Sequence, residues 1–255
     1  METVVIKIGG ALITDKSKPF SIHYNILSRL AYEISKAYKE CNSRIVIVHG
    51  GGSFGHYVVA EHGSVNSIEA ITQTIWFMRE LNMMVVDSLM FYGVPAISFD
   101  THAIVVARGE KLYLFLEPIS HALKLGLVPV LYGDVAIGDT VRIVSGDEIA
   151  WYLSKSFIPS KLLFATTVDG VYDRDPLDSK AKLLDTIKLS DISNILFSSS
   201  QGVDVTGGMK LKLELALKYA SNGIKDVLIF NGLREGQTYE AICGFLTRCT
   251  RVLLL

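Results

Sequence analysis

Residues His49 to His56 read HGGGSFGH and follow the β-branched run Arg44-Ile45-Val46-Ile47-Val48. A short apolar run bounded by polar residues reads as a buried strand. Three glycines without a Cβ then allow positive φ and a close approach of backbone to a ligand. The junction therefore forces a strand, a tight turn and a helix in succession. Such a turn can aim several N–H groups at an anion, and His56 adds a side chain that donates to the same anion. From this stretch alone two readings stand side by side: a phosphate-holding turn touched by His56, and a plain strand-to-helix turn.

The same alternation runs along the chain. Strands are expected at Thr3–Ile8, Val94–Phe99, Leu127–Tyr132, Lys161–Thr166, Asp226–Phe230 and Arg251–Leu255. Apolar residues at helical spacing predict helices over Ser21–Lys39 and, following Gly207-Gly208-Met209, through about Ala220. Asn66 and Glu69 read as a capping box opening a long helix, with Ile68, Ile71, Ile75, Met78, Val85 and Leu89 as its apolar stripe. That stripe suits a core or a dimer seam. A helix is expected within Tyr113–Leu125 and a short one over Leu189–Leu196. Val135–Val144 reads as a hairpin turning at Gly138-Asp139, and Ser145-Gly146-Asp147 opens another helix. Strands alternating with helices predict an α/β fold, a three-layer sandwich on a mostly parallel central sheet. Pro159-Ser160 divides the expected single domain of 1–255 into lobes of about 1–158 and 159–255.

Composition excludes more than it proposes. The 25 Lys+Arg nearly balance the 26 Asp+Glu, which gives no general case for nucleic acid or an anionic membrane. No apolar run reaches the roughly 18–20 residues of a membrane span. The segment Ile75–Phe91 carries Arg79, Glu80 and Asp87. No leader-like n-region and h-region open the chain, so a cytoplasmic protein is expected. Three cysteines, Cys41, Cys243 and Cys249, lack a CxxC pair. They are expected to be reduced thiols, neither a disulfide framework nor a zinc site.

Gly50-x-Gly52-x-x-Gly55 matches GxGxxG, but the acidic residue that a dinucleotide site needs about 20 positions on falls in the long helix. The six histidines are not spaced as a metal cluster, and no metal site is expected. What remains is glycines with lysines: Lys7 before Gly9-Gly10, the Gly50–Gly52 triplet, and Gly207-Gly208 with Lys210 or Lys212. Asp147 and Asp169 lie at element ends, and Lys16 is either a solvated loop lysine or part of the same crevice. This set suits phosphoryl transfer, which needs positioning and charge neutralisation more than covalent chemistry. An acceptor that is itself a phosphate is largely a dianion at pH 7, because its second pKa is near 6. Its oxygen then needs no general base.

These residues resemble the amino acid kinase superfamily, and more closely its archaeal-type isopentenyl phosphate kinase family. Lys7-Ile8-Gly9-Gly10 resembles the KxGG element and His49-Gly50-Gly51-Gly52 the second glycine loop. Ser145-Gly146-Asp147 resembles the central acidic turn, Val168–Tyr172 the nucleotide-side turn, and Gly207-Gly208-Met209-x-x-Lys212 the GGMxxK element. Thr14-Asp15-Lys16 and Ser53-Phe54-Gly55-His56 carry the closer resemblance. It implies that His56 contacts the acceptor phosphate, with Gly10, Gly50, Gly51, Gly55 and Gly146 around the acceptor. It implies that Lys7 and Lys16 stabilise the transferring group and that Asp147 orients the lysines. Lys7, Gly9, Gly10, Ala11, Gly52, Thr167, Asp169, Tyr172, Gly208 and Lys212 are implied around ATP, which carries Mg2+. The N-terminal lobe would take the acceptor and the C-terminal lobe MgATP, in a homodimer. The helix from Asn66, with Ile75, Trp76 and Met83, is offered for an isoprenoid tail.

The chain departs from the pattern at Ala11, where serine is common, and at Thr167, where aspartate is common. Fosfomycin kinases share a similar GGGxFGH, so the motif by itself implies a phosphate or phosphonate acceptor. A non-catalytic nucleotide-sensing regulator on the same fold is a third reading. Against it, a chain released from catalysis has no physical reason to keep Lys7, Lys16 and Lys212 together.

Overall fold

The computed structural model describes residues 2–63, 65, 67–193, 207–220 and 223–254. Eight strands form one sheet: β1 (Glu2–Ile8), β2 (Ser43–His49), β3 (Ala96–Ser98), β6 (Val128–Tyr132), β9 (Lys161–Thr166), β10 (Thr186–Lys188), β11 (Asp226–Asn231) and β12 (Thr250–Leu253). Their order is β10-β12-β11-β9-β1-β2-β6-β3. Every neighbouring pair is parallel except β11–β12. The expected mostly parallel α/β sandwich is the observed one. Two hairpins stand outside the sheet, β4–β5 (Val105–Arg108, Lys111–Leu114) and β7–β8 (Asp134–Ile137, Val141–Val144).

The helices are α1 (Gly10–Ile13), α2 (Tyr24–Glu40), α3 (Gly52–His62), α4 (Ile68–Phe91), α5 (Thr101–Ile104), α6 (Glu117–Lys124), α7 (Gly146–Phe157), α8 (Gly207–Tyr219) and α9 (Gln237–Cys243). The period of two in β1 sends Val4, Ile6 and Ile8 into the core shared with α2, α4 and α9. Val5 joins the opposite core, with Trp151 of α7 and Leu213 of α8. Lys7 lies on the Val5 side, which directs it toward α7.

Three expectations are corrected. Ser67 caps α4, accepting from the Ala70 N–H at 3.0 Å, and Asn66 lies outside the described residues. Ile68 is exposed, whereas Met78, Val85 and Leu89 are buried. The short helix expected over Leu189–Leu196 opens as a 3-10 helix (Leu189–Asp191), and residues 194–196 lie outside the described residues. The third correction concerns the thiols: Cys41 and Cys243 form a disulfide, and Cys249 is the free, buried cysteine. The bonded pair is 202 residues apart, with Cα atoms 5.4 Å apart. Spacing in sequence hides such a pair, because packing of α2 on α9 creates it. Glu33 of α2 accepts from the N–H groups of Gly236 (2.9 Å) and Thr238 (3.0 Å) and so caps α9 from another helix. The disulfide removes the thiol argument for a reducing compartment. No described helix is long and apolar enough to cross a membrane.

Candidate active site

The carboxyl edge of the sheet carries glycines in a repeated arrangement. Gly9 donates to Ala165 O, Gly50 to Ile8 O, Gly133 to His49 O and Gly232 to Thr166 O, each at 2.8–3.1 Å. Each glycine thus leaves its own strand by bonding to the last residues of a neighbour. The first two turns touch backbone to backbone. A Cβ on Gly50 would stand 2.8 Å from Gly10 N, and one on Gly10 would overlap Gly52. Gly52 has φ +50 and packs on Thr14. Glycine is therefore required where the loops meet, independently of any ligand. Ser53 N donates to Thr14 Oγ1 at 2.8 Å, locking the start of α3 to α1.

Charge is gathered directly behind these turns. Lys7, Asp147 and Lys212 are all buried. Lys7 Nζ donates to Asp147 Oδ2 at 2.9 Å. Lys212 Nζ lies 3.2 Å from the other carboxylate oxygen, off the hydrogen-bond line, and donates to Gly208 O at 3.1 Å. Three elements deliver this cluster. Lys7 is the penultimate residue of β1, Lys212 lies one turn past Gly208 on α8, and Asp147 occupies the first turn of α7, where Ser145 Oγ caps the Glu148 N–H at 3.1 Å. Burial pushes the Asp147 carboxyl up, but Lys7 and Lys212 outweigh it and hold it below the usual range. Burial first, and repulsion from Lys7 second, pull Lys212 down to about 8 against the attraction of Asp147.

Lys16 and His56 complete the crevice from the outside, and both are exposed. The Lys16 loop is held by the Thr14–Ile22 bridge and by Asp15 N donating to Ser21 O at 3.0 Å. The Lys16 charge reaches both His56 and Lys212. Loss of hydration first, and Lys16 second, hold His56 below an ordinary imidazole. The structure therefore brings together Lys7, Lys16, His56, Asp147 and Lys212 around the Gly10, Gly50–Gly52 and Gly146 turns. A Cβ on Gly146 would stand 2.7 Å from His49 O.

The nucleotide-side turn is built differently from its expectation. Asp169 is buried, and its oxygens accept from Arg234 Nε (2.7 Å), Arg248 Nε (2.7 Å), Asn231 Nδ2 (3.0 Å) and Tyr172 Oη (3.3 Å). Burial pushes this carboxyl up, and these donors hold it well below the carboxylate range. Asp169 is thus the hub that ties the loops after β9 and β11 to the loop before β12. Arg234 and Arg248 gave no signal in sequence, because they reach Asp169 across 65 and 79 residues. Thr167 and Gly208 are exposed, and Ala11 is half-buried in α1. On α4, Trp76 and Met83 are exposed, while Met78 is the side chain nearest Gly51 and Gly55.

Residues 2–231 match the family model described as the amino acid kinase family. The chain belongs to the amino acid kinase family. It is 37% identical to the isopentenyl phosphate kinase of Methanocaldococcus jannaschii, over 94% of this chain and 95% of that protein. It is 34% identical to the enzyme of that name from Methanothermobacter thermautotrophicus, over 98% of each. The solved structure described as "X-ray structures of isopentenyl phosphate kinase" superposes with a TM-score of 0.82 at 29% identity, covering 98% of this chain and 99% of that one. The isopentenyl phosphate kinase substrate complex gives 0.79 at 26% identity, covering 99% and 100%.

For this amino acid kinase family member the depressed Lys212 is expected to give a pH limb. The ammonium is present below about 8 and is lost as pH rises through that value. The pH dependence of kcat/KM reports the free enzyme. The value for ATP is therefore expected to fall with the slope of one proton on the alkaline side. Lys212→Arg, whose guanidinium stays charged, should move that limb out of range. An unchanged limb in that variant would assign it to another group.

Proposed function

We propose that the chain transfers the γ-phosphoryl group of ATP to isopentenyl phosphate, giving isopentenyl diphosphate and ADP. The observation that carries this reading is the seating of a glycine turn and His56 over a buried Lys7–Asp147–Lys212 cluster. An acceptor phosphate dianion supplies its own nucleophilic oxygen, so the reaction needs no general base. That oxygen attacks the γ-phosphorus while the bond to the β-γ bridging oxygen breaks and ADP takes the electron pair. Negative charge spreads over the transferring oxygens, where Lys7, Lys16 and Lys212 neutralise it. His56, with an N–H toward the acceptor, and the N–H groups at the start of α3 hold the acceptor phosphate.

Asp147 keeps two lysines of like charge side by side. It is a positioning residue and takes no proton. Mg2+ carried in with ATP would add charge neutralisation at the phosphates, which Lys7, Lys16 and Lys212 would face from the protein side. Among the described residues the cluster offers ammonium and N–H donors, and the Asp147 carboxylate is already held by two lysines. In this reading residues 1–158 take the acceptor, residues 159–255 take ATP, and the protein works as a homodimer. The exposed stripe Trp76, Met83, Met90 and Phe91 on α4 supports an apolar seam. A second reading, a phosphonate such as fosfomycin as acceptor, draws on the same turn and histidine.

His56→Ala tests the acceptor assignment. A hydrogen bond to a charged group contributes about 1.5–3 kcal/mol, so KM for isopentenyl phosphate is expected to rise roughly ten- to hundredfold. KM for ATP should stay within about twofold. Lost ATP affinity with an unchanged acceptor KM would reverse the lobe assignment.

A further inference from the structure

His49 ends β2, immediately before the glycine turn, and is completely buried. It has no part in the chemistry above. Its ring stacks on Tyr132 of β6, with centroids 5.5 Å apart at 21°. Nδ1 lies 3.1 Å from Gly50 O and Nε2 lies 3.1 Å from Asn82 Oδ1. Both contacts need a proton on the ring. Burial first, opposed by the two contacts and seconded by Lys7, drives His49 down to about 4. At neutral pH the ring therefore has one proton for two acceptors.

Bond lengths decide where it goes. Asn82 Nδ2 lies 2.6 Å from Ser98 Oγ, and Ser98 Oγ lies 3.3 Å from Asp100 Oδ1. A distance of 2.6 Å is short for N–H···O and ordinary for O–H···O, while 3.3 Å is too long for O–H···O. An asparagine amide turned half over exchanges its oxygen and nitrogen with no other movement. Turned over, it accepts from the Ser98 hydroxyl and donates to His49 Nε2. The ring proton then sits on Nδ1 and reaches Gly50 O. Asp100 keeps the Tyr132 hydroxyl at 2.9 Å and faces Arg79 at 3.6 Å.

We propose that His49 is a positioning residue of the acceptor site, held through Asn82 and Ser98 in the Nδ1–H form so that it fixes the Gly50 carbonyl. The peptide bond is planar and trans, so the Gly51 N–H points opposite to the Gly50 carbonyl. Holding the carbonyl inward on His49 turns that N–H outward, toward the crevice. Glycine offers no side-chain barrier to the peptide turning over, so the buried ring supplies the constraint. The proposal rests on the reading that this turn holds the acceptor phosphate. The charged and titratable groups around the ring are Lys7 of β1, Asp147 of α7 behind Lys7, Tyr132 of β6, Asp100 after β3 and Arg79 of α4.

The test joins imidazole NMR on the whole protein with kinetics of Asn82→Asp. Long-range 1H–15N spectra of the wild type are expected to show His49 neutral and protonated on Nδ1 from pH 6 to 8. A carboxylate at position 82 can only accept. It raises the His49 pKa, and below that value the imidazolium still donates to Gly50. Above it the single proton is drawn to Nε2 and Gly50 is released. The ratio of variant to wild-type KM for isopentenyl phosphate should therefore be near one at low pH and climb about tenfold as pH rises, the loss of one hydrogen bond. KM for ATP should not follow. An Nε2–H tautomer in the wild type would overturn the proposal, as would a KM ratio that does not change with pH. If Asn82→Asp does not fold, the wild-type tautomer decides the matter, with Ser98→Ala expected to shift it toward Nε2–H. The tautomer is read without substrate, so it stands even if His56→Ala shows that the acceptor binds elsewhere.

Discussion

Lys7→Ala is expected to lower kcat by about 10²–10³-fold, the loss of about 2.7–4 kcal/mol that follows removal of one preorganised donor. Lys7 Nζ lies 3.6 Å from where a Gly50 Cβ would stand, so its charge sits directly under the meeting of the two glycine turns. Little water screens it, because Lys7 is 5% exposed. The loss should fall on kcat with small changes in either KM, since the charge it neutralises grows in the transition state. Lys7→Met, which keeps the apolar stem, should lose nearly as much and separate charge from packing. A rate within tenfold of the wild type from either variant would remove Lys7 from the mechanism.

Asp147→Asn is expected to be the most damaging substitution for stability. It leaves Lys7 and Lys212 facing one another with no counter-charge, and stripping one partner from a buried ion group costs about 3–5 kcal/mol. Urea titration should show that loss at pH 7. The sign with pH follows from Lys212. Without the carboxylate its pKa falls further below about 8, so the alkaline limb for ATP should move to lower pH. A variant with wild-type stability and an unmoved limb would mean that Asp147 does not govern the lysines.

Much of this was legible in sequence because the signals are local. Lys7 and the glycines after it, the HGGGSFGH turn, the Ser145 cap and the GGMxxK spacing each lie within one element junction. The structure places all of them on the carboxyl edge of one sheet. What sequence hid is non-local. The start of α9 is capped by Glu33, 203 and 205 residues away, so its own residues carry no start signal. Cys41 and Cys243 meet only because α2 and α9 pack together. Asp169 reads as a nucleotide contact, whereas Arg234 and Arg248 occupy its oxygens. The β4–β5 hairpin was recoverable, since Val105–Leu114 alternates about Gly109, whose φ is +53. Trp76 and Met83 share the long helix with Met78, but only Met78 lies against the glycine turn, a matter of helix rotation that an apolar stripe leaves open.

The central claim is the identity of the acceptor, and one comparison tests it directly: ADP release with MgATP and, in turn, isopentenyl phosphate, fosfomycin and acetylglutamate. The account predicts a kcat/KM for isopentenyl phosphate far above the other two, lowered roughly ten- to hundredfold by His56→Ala. Turnover of fosfomycin alone, or of none of the three, would contradict it, leaving the fold and the lysine cluster in place with a different acceptor to be found.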